Sequence, residues 1–420
     1  MHPIPRTLRP LVGLAVLLAL LAVPALSAAP KAPALALGES RPLETTLGNP
    51  ALPAAQAVWL EMIDGATKTL DLEHFYFSHR PGESLQPVVD AIGRAAARGV
   101  QVRLLLDAAM SRTYPRPADS LAALPNVKVR RVDYHRLAGG VQHAKFMITD
   151  GTDGWLGSQN LDWRAMTHIH ELGIRMRDPR ITAAMEAVFA ADWDAADTTG
   201  EHHAPARYAG SWPVRVTQAD GHGAEATLAA SPRSTTPAGI PWDRDLIVQR
   251  ITGAKRTLVA QVLQYGVRQR GGADSTLHKA LIAAAARGVA VRLIVSDWSL
   301  GGANEPAMRD LAAHGVQVKI SRVPDWSGGY IPFARVEHCK YMVADGEWIW
   351  VGTSNWEPSY FLETRNLGLT VHDPALAAQG QAIFEASWNA PTAAPYGPDT
   401  QLPPRTHGET APAGMTLYGE

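Results

Sequence analysis

Ala95-Ala-Ala-Arg-Gly-Val-Gln-Val-Arg-Leu104 returns 189 residues later as Ala284-Ala-Ala-Arg-Gly-Val-Ala-Val-Arg-Leu293. A second echo lies upstream of each: Ile63-Asp-Gly-Ala-Thr-Lys-Thr-Leu70 matches Ile251-Thr-Gly-Ala-Lys-Arg-Thr-Leu258, at an offset of 188. Helix and strand propensity alone would not hold that register, so the chain reads as a duplicated domain and not as a short-period solenoid. In each copy a helical spacing, over 87–98 and 276–287, runs into Gly99 or Gly288, which are good helix stops. The β-branched and leucine-rich runs that follow, 100–107 and 289–297, predict buried strands, and further strands are expected over 127–132 and 316–321. Helices alternating with apolar strands give each half a layered α/β character.

Outward from the repeats, the first residues read as an export signal. Arg6 and Arg9 precede an apolar run over 11–26, and Ala25-Leu-Ser27 with Ala28 and Ala29 supplies a cleavage site. The run falls short of the roughly 20 residues needed to span a bilayer, and Pro24 interrupts its end. The expected organisation is a signal peptide over 1–29, a loose segment over 30–54 and a first half over 55–197. A connecting segment over 198–240 follows, with a strand near 212–216, then a second half over 241–390 and a disordered tail over 391–420. An exported protein, periplasmic or secreted, is implied. Apolar residues make up 46% and charged residues 19%, an ordinary globular balance, and the formal net charge is −1. No global positive field is available to gather nucleic acid or anionic lipid, so any phosphate binding must be local. Cys339 is the single cysteine, which excludes an internal disulfide; it reads as a packing residue and not as a nucleophile.

The chemistry-bearing signal occurs once per half: His143-Ala-Lys-Phe-Met-Ile-Thr-Asp150 and His338-Cys-Lys-Tyr-Met-Val-Ala-Asp345. On a strand, residues i and i+2 share a face, so His143 and Lys145 point together, as do His338 and Lys340, while Ala144 and Phe146 face the core. Two such copies face to face would place two imidazoles and two ammonium groups around one phosphate. One histidine can then attack phosphorus while the other protonates the leaving oxygen and later activates water or an alcohol. The lysines stabilise charge on the non-bridging oxygens, and no metal or other cofactor is needed. Asp150 and Asp345 fall at the strand ends, where a turn or ion-pair role is expected. Ser158 and Asn160 align with Thr353 and Asn355 as donors near the site. Glu171 and Glu363, 28 and 25 residues after the motif histidines, are candidates to hold the far imidazole nitrogens or to brace loops. Arg164 and Arg335 are extra phosphate partners or loop braces. His168 and His170, with His74, His79, His202, His203 and His222, invite a metal reading, but no carboxylate or thiol cluster in the sequence completes a tetrahedral set.

The paired motifs resemble the signature of the phospholipase D superfamily. Gly157-Ser-Gln-Asn-Leu-Asp-Trp-Arg164, His170-Glu-Leu-Gly173, Ile331-Pro-Phe-Ala-Arg335 and Gly352-Thr-Ser-Asn-Trp356 are similar to the branch containing the mammalian lysosomal phospholipase D-like 5′-exonucleases. The resemblance implies two similar α/β sandwich halves with the active site at their interface, His143 as nucleophile and His338 as acid. Those relatives carry disulfides and an amino-terminal membrane anchor, from which this chain departs. The expected activity is phosphodiester hydrolysis through a covalent phosphohistidine, on single-stranded nucleic acid from the 5′ end. The alternative is removal or exchange of a phospholipid headgroup. A phosphate-binding protein without catalysis would be expected to have lost a motif histidine or lysine, and all four are present. With two motifs in one chain an oligomer is not required, and signal cleavage would leave no membrane span.

Overall fold

Gly99 and Gly288 do end helices, Gln86–Ala97 and Thr276–Ala286, at φ of 94° and 88°, and the apolar runs beyond them become central strands. The computed structural model describes residues 1–3, 32–196, 207–405 and 407–419, so the expected export signal lies almost wholly outside the described residues. From Pro33 onward the chain forms one unit, which holds both sheets.

The first sheet contains β1 (Leu35–Ser40), β2 (Thr69–His74), β3 (Gln101–Asp107), β4 (Val127–Val132), β5 (Phe146–Thr149), β6 (Asp153–Gly157) and β7 (Ile169–Met176). Their order across the sheet is β1-β7-β6-β5-β2-β3-β4. The second contains β8 (Val214–Thr217), β9 (Gly223–Ser231), β10 (Thr257–Val262), β11 (Ala290–Ser296) and β12 (Gln317–Ser321). The two-residue β13 (Val336–Glu337) joins the first sheet beside β7, while the second sheet continues with β14 (Tyr341–Ala344), β15 (Trp348–Gly352), β16 (Asn366–His372) and β17 (Ala393–Tyr396). Its order, β8-β9-β16-β15-β14-β10-β11-β12-β17, repeats the first with one extra strand at each edge. In both sheets the two repeat strands lie parallel and the motif strand runs antiparallel to its neighbour, β5 on β2 and β14 on β10.

Two long helices, Pro179–Ala195 and Pro374–Trp388, begin on the capping carboxylates of Asp178 and Asp373 with proline in the first turn. They pack between the two sheets in a shared core that includes Phe146, Ile174 and Phe189 from one half and Tyr341, Val351 and Phe384 from the other. Outer helices cover the far face of each sheet, around Trp59, Ile92 and Leu104 in one half and Ile251, Leu281 and Leu293 in the other. Fusing the halves through apolar burial fixes how the two motifs meet.

The structure departs from three sequence expectations. The stretch expected to be loose over 30–54 supplies β1, which pairs antiparallel with β7 from Leu35↔Met176 to Ser40↔Glu171. Within the expected connecting segment, β9 pairs with β16 and is the second half's counterpart of β1, so that half recruits residues well before 241. The tail expected to be disordered provides β17, paired with β12, and residues 407–419 run back over the molecule. All three are short and rich in small residues or proline; they gain order from partners distant in sequence, which local composition does not encode.

Candidate active site

The motif strands begin at Phe146 and Tyr341, so each His-x-Lys lies one step before its strand, in extended backbone that leaves its own sheet and reaches the other half. The His143 amide donates to the Arg365 carbonyl at 3.0 Å, and the His338 amide donates to the His170 carbonyl at 2.9 Å. Beside these contacts Gln142 bridges to Arg365, and β13 pairs parallel with the start of β7. Each half therefore hands its imidazole to the opposite half. Ala144, Phe146, Cys339 and Tyr341 are fully buried in the shared core, on the face opposite the site, as the alternation requires.

Both imidazoles line one cavity of about 330 Å3. Its walls include Phe75, Tyr76 and Tyr114 from the first half and Trp298, Phe333 and Tyr360 from the second. Phe75 and Tyr360 flank His143, each with ring centroid 5.0 Å away. Lys145 and Lys340 are wholly buried, and each ammonium donates to the carbonyl of its own motif histidine, at 2.6 and 2.9 Å. Burial and the facing Lys340 charge drive the Lys145 pKa well below its ordinary value, and burial brings Lys340 down to about 7. Glu171 draws both pKa values back up, and an anion entering between the two amines would favour the protonated form of each.

The two histidines are held differently. His143 donates Nδ1–H to Asn366 Oδ1 at 3.0 Å. The orientation of that amide is fixed chemically: its Nδ2 donates to the Tyr360 carbonyl at 2.8 Å, and its Oδ1 also accepts from the Thr353 hydroxyl at 2.8 Å. His143 Nε2 is thereby left with its lone pair. Burial, then Lys145 and Lys340, keep this ring well below the ordinary histidine pKa, so it is neutral at neutral pH. His338 Nδ1 instead meets the Glu171 carboxylate at 2.5 Å. Burial pushes Glu171 well above the usual carboxylate range, while burial and the lysines push His338 down. The carboxyl group can therefore hold and share a proton with its imidazole, which the Asn366 amide beside His143 cannot. One half-site offers a lone pair and the other a proton.

Glu171 thus serves the histidine of the opposite half. Glu363, expected to play the matching part, does not: it ends the helix Pro358–Leu362 and bonds to neither imidazole. The register explains why. Gly157 pairs with Gly173 and Gly352 with Gly368, so the position equivalent to Glu171 is Asn366, at the same offset of 195 that separates the motif histidines. Asn160 and Asn355 line the cavity, each with an unbonded buried carbonyl oxygen. Ser158 and Thr353 accept the amides of Leu172 and Leu367 and so brace the strands carrying Glu171 and Asn366. Asp150 and Asp345 cap turns: Asp150 accepts from the amides of Thr67, Lys68 and Thr69, and Asp345 from those of Lys255, Arg256 and Thr257, all at 2.7–2.9 Å. Both sit at φ above 50°, the turn conformation. Arg164 is committed to Asp162 by paired bonds of 2.7 and 3.0 Å and reaches across to the Pro332 carbonyl, so it clamps a loop. Arg335 lies outside the cavity lining and donates to the Pro324 carbonyl.

Behind the site lies a buried ion pair that the sequence did not reveal. His170 is wedged between Glu39, 2.8 Å from Nε2, and Glu337, 2.7 Å from Nδ1. At the equivalent position Arg365 pairs with Asp192 at 2.6 Å. With Cys339, His170 and Glu337 place their donor atoms within 4.8 Å of one another, a potential ligand set. Both ring nitrogens are already engaged by carboxylates, and burial pushes the Cys339 thiol up, so these groups serve as an ion-paired joint between the halves.

The family model described as "Cardiolipin synthase, PLD-like domain" matches residues 59–193 and again 247–388, one match per half. "Phospholipase D Z" of Dictyostelium discoideum is 31% identical over 364 residues, covering 80% of this chain and 85% of that protein. "5'-3' exonuclease PLD3" of Homo sapiens is 32% identical over 380 residues, covering 81% and 75%. Among solved structures, phosphatidylserine synthase of Haemophilus influenzae Rd KW20 shares the fold, with a TM-score of 0.60 at 14% identity over 81% of this chain and 85% of that one.

Proposed function

The chain belongs to the phospholipase D superfamily and is a phosphodiesterase, and from that premise we propose that it hydrolyses single-stranded nucleic acid from the 5′ end through a covalent phosphohistidine. The observation that carries the mechanism is the unequal buttressing of the two imidazoles. His143, neutral and held through Nδ1–H by Asn366, attacks phosphorus with Nε2. His338, paired with Glu171, delivers its proton to the leaving oxygen as the P–O bond breaks. Water then enters and gives a proton to His338, and its oxygen displaces His143 from phosphorus. Lys145 and Lys340 bear on the non-bridging oxygens, where charge grows in the transition state.

Two features favour nucleic acid as the substrate. The cavity is walled by aromatic rings, on which bases stack at about 1–3 kcal/mol each. A bilayer enzyme needs an apolar rim; in the unit from Pro33 onward, the exposed large apolar side chains among the described residues are Leu43, Leu124, Leu137 and Met415, from separate stretches. Among the described residues no helix is long and apolar enough to cross a membrane. The apolar amino-terminal run behind Arg6 and Arg9 supports an exported protein. The test runs in EDTA with a 5′-hydroxyl single-stranded oligonucleotide and choline-headgroup liposomes in parallel, beside His143→Ala. Stepwise shortening of the oligonucleotide, abolished by the substitution, is expected. Choline release with an intact oligonucleotide would make the protein a headgroup phospholipase, and activity surviving the substitution would refute the phosphohistidine.

A further inference from the structure

The carboxyl-terminal residues 407–419, compositionally a disordered tail, run from one half to the other and border the active-site cavity at Glu409. They start on the second half. Arg405 pairs with Asp325 at 2.5 Å, His407 lies 3.2 Å from Asp297 with its ring 5.1 Å from Trp298, and its carbonyl accepts the Phe333 amide at 2.8 Å. The Tyr330 hydroxyl donates to the Gly408 carbonyl at 2.7 Å. Glu409, the next residue, lines the cavity that holds both motif histidines. Beyond it the Tyr330 amide donates to the Thr416 carbonyl and the Tyr418 amide to the Tyr330 carbonyl, at 2.8 and 2.9 Å. The strap ends on the first half: the Tyr418 hydroxyl donates to Glu83 at 2.7 Å, and the Arg80 guanidinium sits 5.0 Å from the Tyr418 ring.

We propose that this strap, with Glu409 facing the cavity, is what confines the enzyme to chain ends. This rests on the nucleic-acid reading above and adds the determinant of its exo-specificity. A strand held by one phosphodiester at the paired histidines must continue in both directions unless one side is closed. The strap bridges the two halves on one side, and the cavity it borders, about 330 Å3, is at the low end of ligand pockets, with room for roughly one nucleoside unit. A further phosphate on that side would meet the Glu409 carboxylate, and like charges are refused there. Because Glu409 is exposed, its contribution falls as salt rises.

The full-length protein is assayed on a linear 5′-hydroxyl oligonucleotide, a covalently closed single-stranded circle of the same sequence, and bis(p-nitrophenyl) phosphate as a check on the histidines. The linear strand should shorten while the circle stays intact. A chain ending after Arg405 should open the circle at least tenfold faster than the parent while still turning over the small ester. In the full-length chain, Glu409→Gln should raise the rate on a 5′-phosphorylated oligonucleotide, relative to its 5′-hydroxyl twin, severalfold at low salt. A parent that opens circles as readily as linear strands overturns the proposal. So does a truncated chain that is active on the ester yet leaves the circle closed. If truncation abolishes ester turnover, the Glu409→Gln ratio decides, and an unchanged ratio overturns it. Ester turnover by the parent with no attack on the linear strand would instead sink the nucleic-acid reading itself.

Discussion

The two halves share a strand order and a motif, yet the buttress behind each histidine differs: a neutral amide, Asn366, behind His143, and a carboxylate, Glu171, behind His338. On the proposed mechanism, this one register position is what distinguishes nucleophile from acid, because a carboxyl group can hold a proton where an amide cannot. Such a division of labour would need no new element, only an unequal pair of side chains on equivalent strands.

That comparison can be broken most severely with a substrate whose leaving group needs no proton. On a p-nitrophenyl ester, His338→Ala should still release a burst of about one nitrophenol per active site, then stall with phosphorus bound to His143. On a poor leaving group the same variant should lose about 10²–10⁴-fold. His143→Ala should give no burst on either, and a burst from it would reverse the assignment. The comparison sharpens with Asn366→Asp, which makes the two half-sites alike. A carboxylate beside His143 raises that ring's pKa, and the attacking form is the deprotonated one. The acid limb of the rate profile should therefore move to higher pH, with roughly a tenfold loss below it per unit moved. An unmoved limb would mean the buttress does not set the role. The smallest effect is expected where the halves are most alike. Asp150→Ala and Asp345→Ala each remove the acceptor for three backbone amides, and should each lower stability by about 1–3 kcal/mol in denaturant titrations. Activity per folded molecule should be unchanged, and a large loss in kcat would place these carboxylates in the chemistry.

Much of this was legible in residue order. The repeated Ala-Ala-Ala-Arg-Gly-Val segments give the helix–strand units, and the His-x-Lys spacing gives the paired groups. Glu363 teaches most: of its two expected parts, holding an imidazole or bracing a loop, the first falls to Asn366, which the strand register places opposite Glu171. The signal was present, because adding the motif offset of 195 to Glu171 points to residue 366. It is faint because an amide and a carboxylate at equivalent positions share no charge. β1 and the strap were not legible for a different reason. Leu35–Ser40 and residues 407–419 hold no strong local preference, and their order comes from β7 and from the loop around Tyr330, far away along the chain. His170 between Glu39 and Glu337 was hidden likewise, since its partners arrive from both halves.

The exchange in which each motif's leading residues bond to the opposite half has a consequence for how such a protein could arise and be checked. Neither half alone can orient its own imidazole, since the buttress for each stands on the other. A single ancestral copy would have been inert until two met, and fusing two copies into one chain freed each buttress to diverge. The same reciprocity makes the reaction a proof of assembly: a chain divided between Ala196 and Arg207 would give two silent fragments, and turnover would return only once both had folded and found each other.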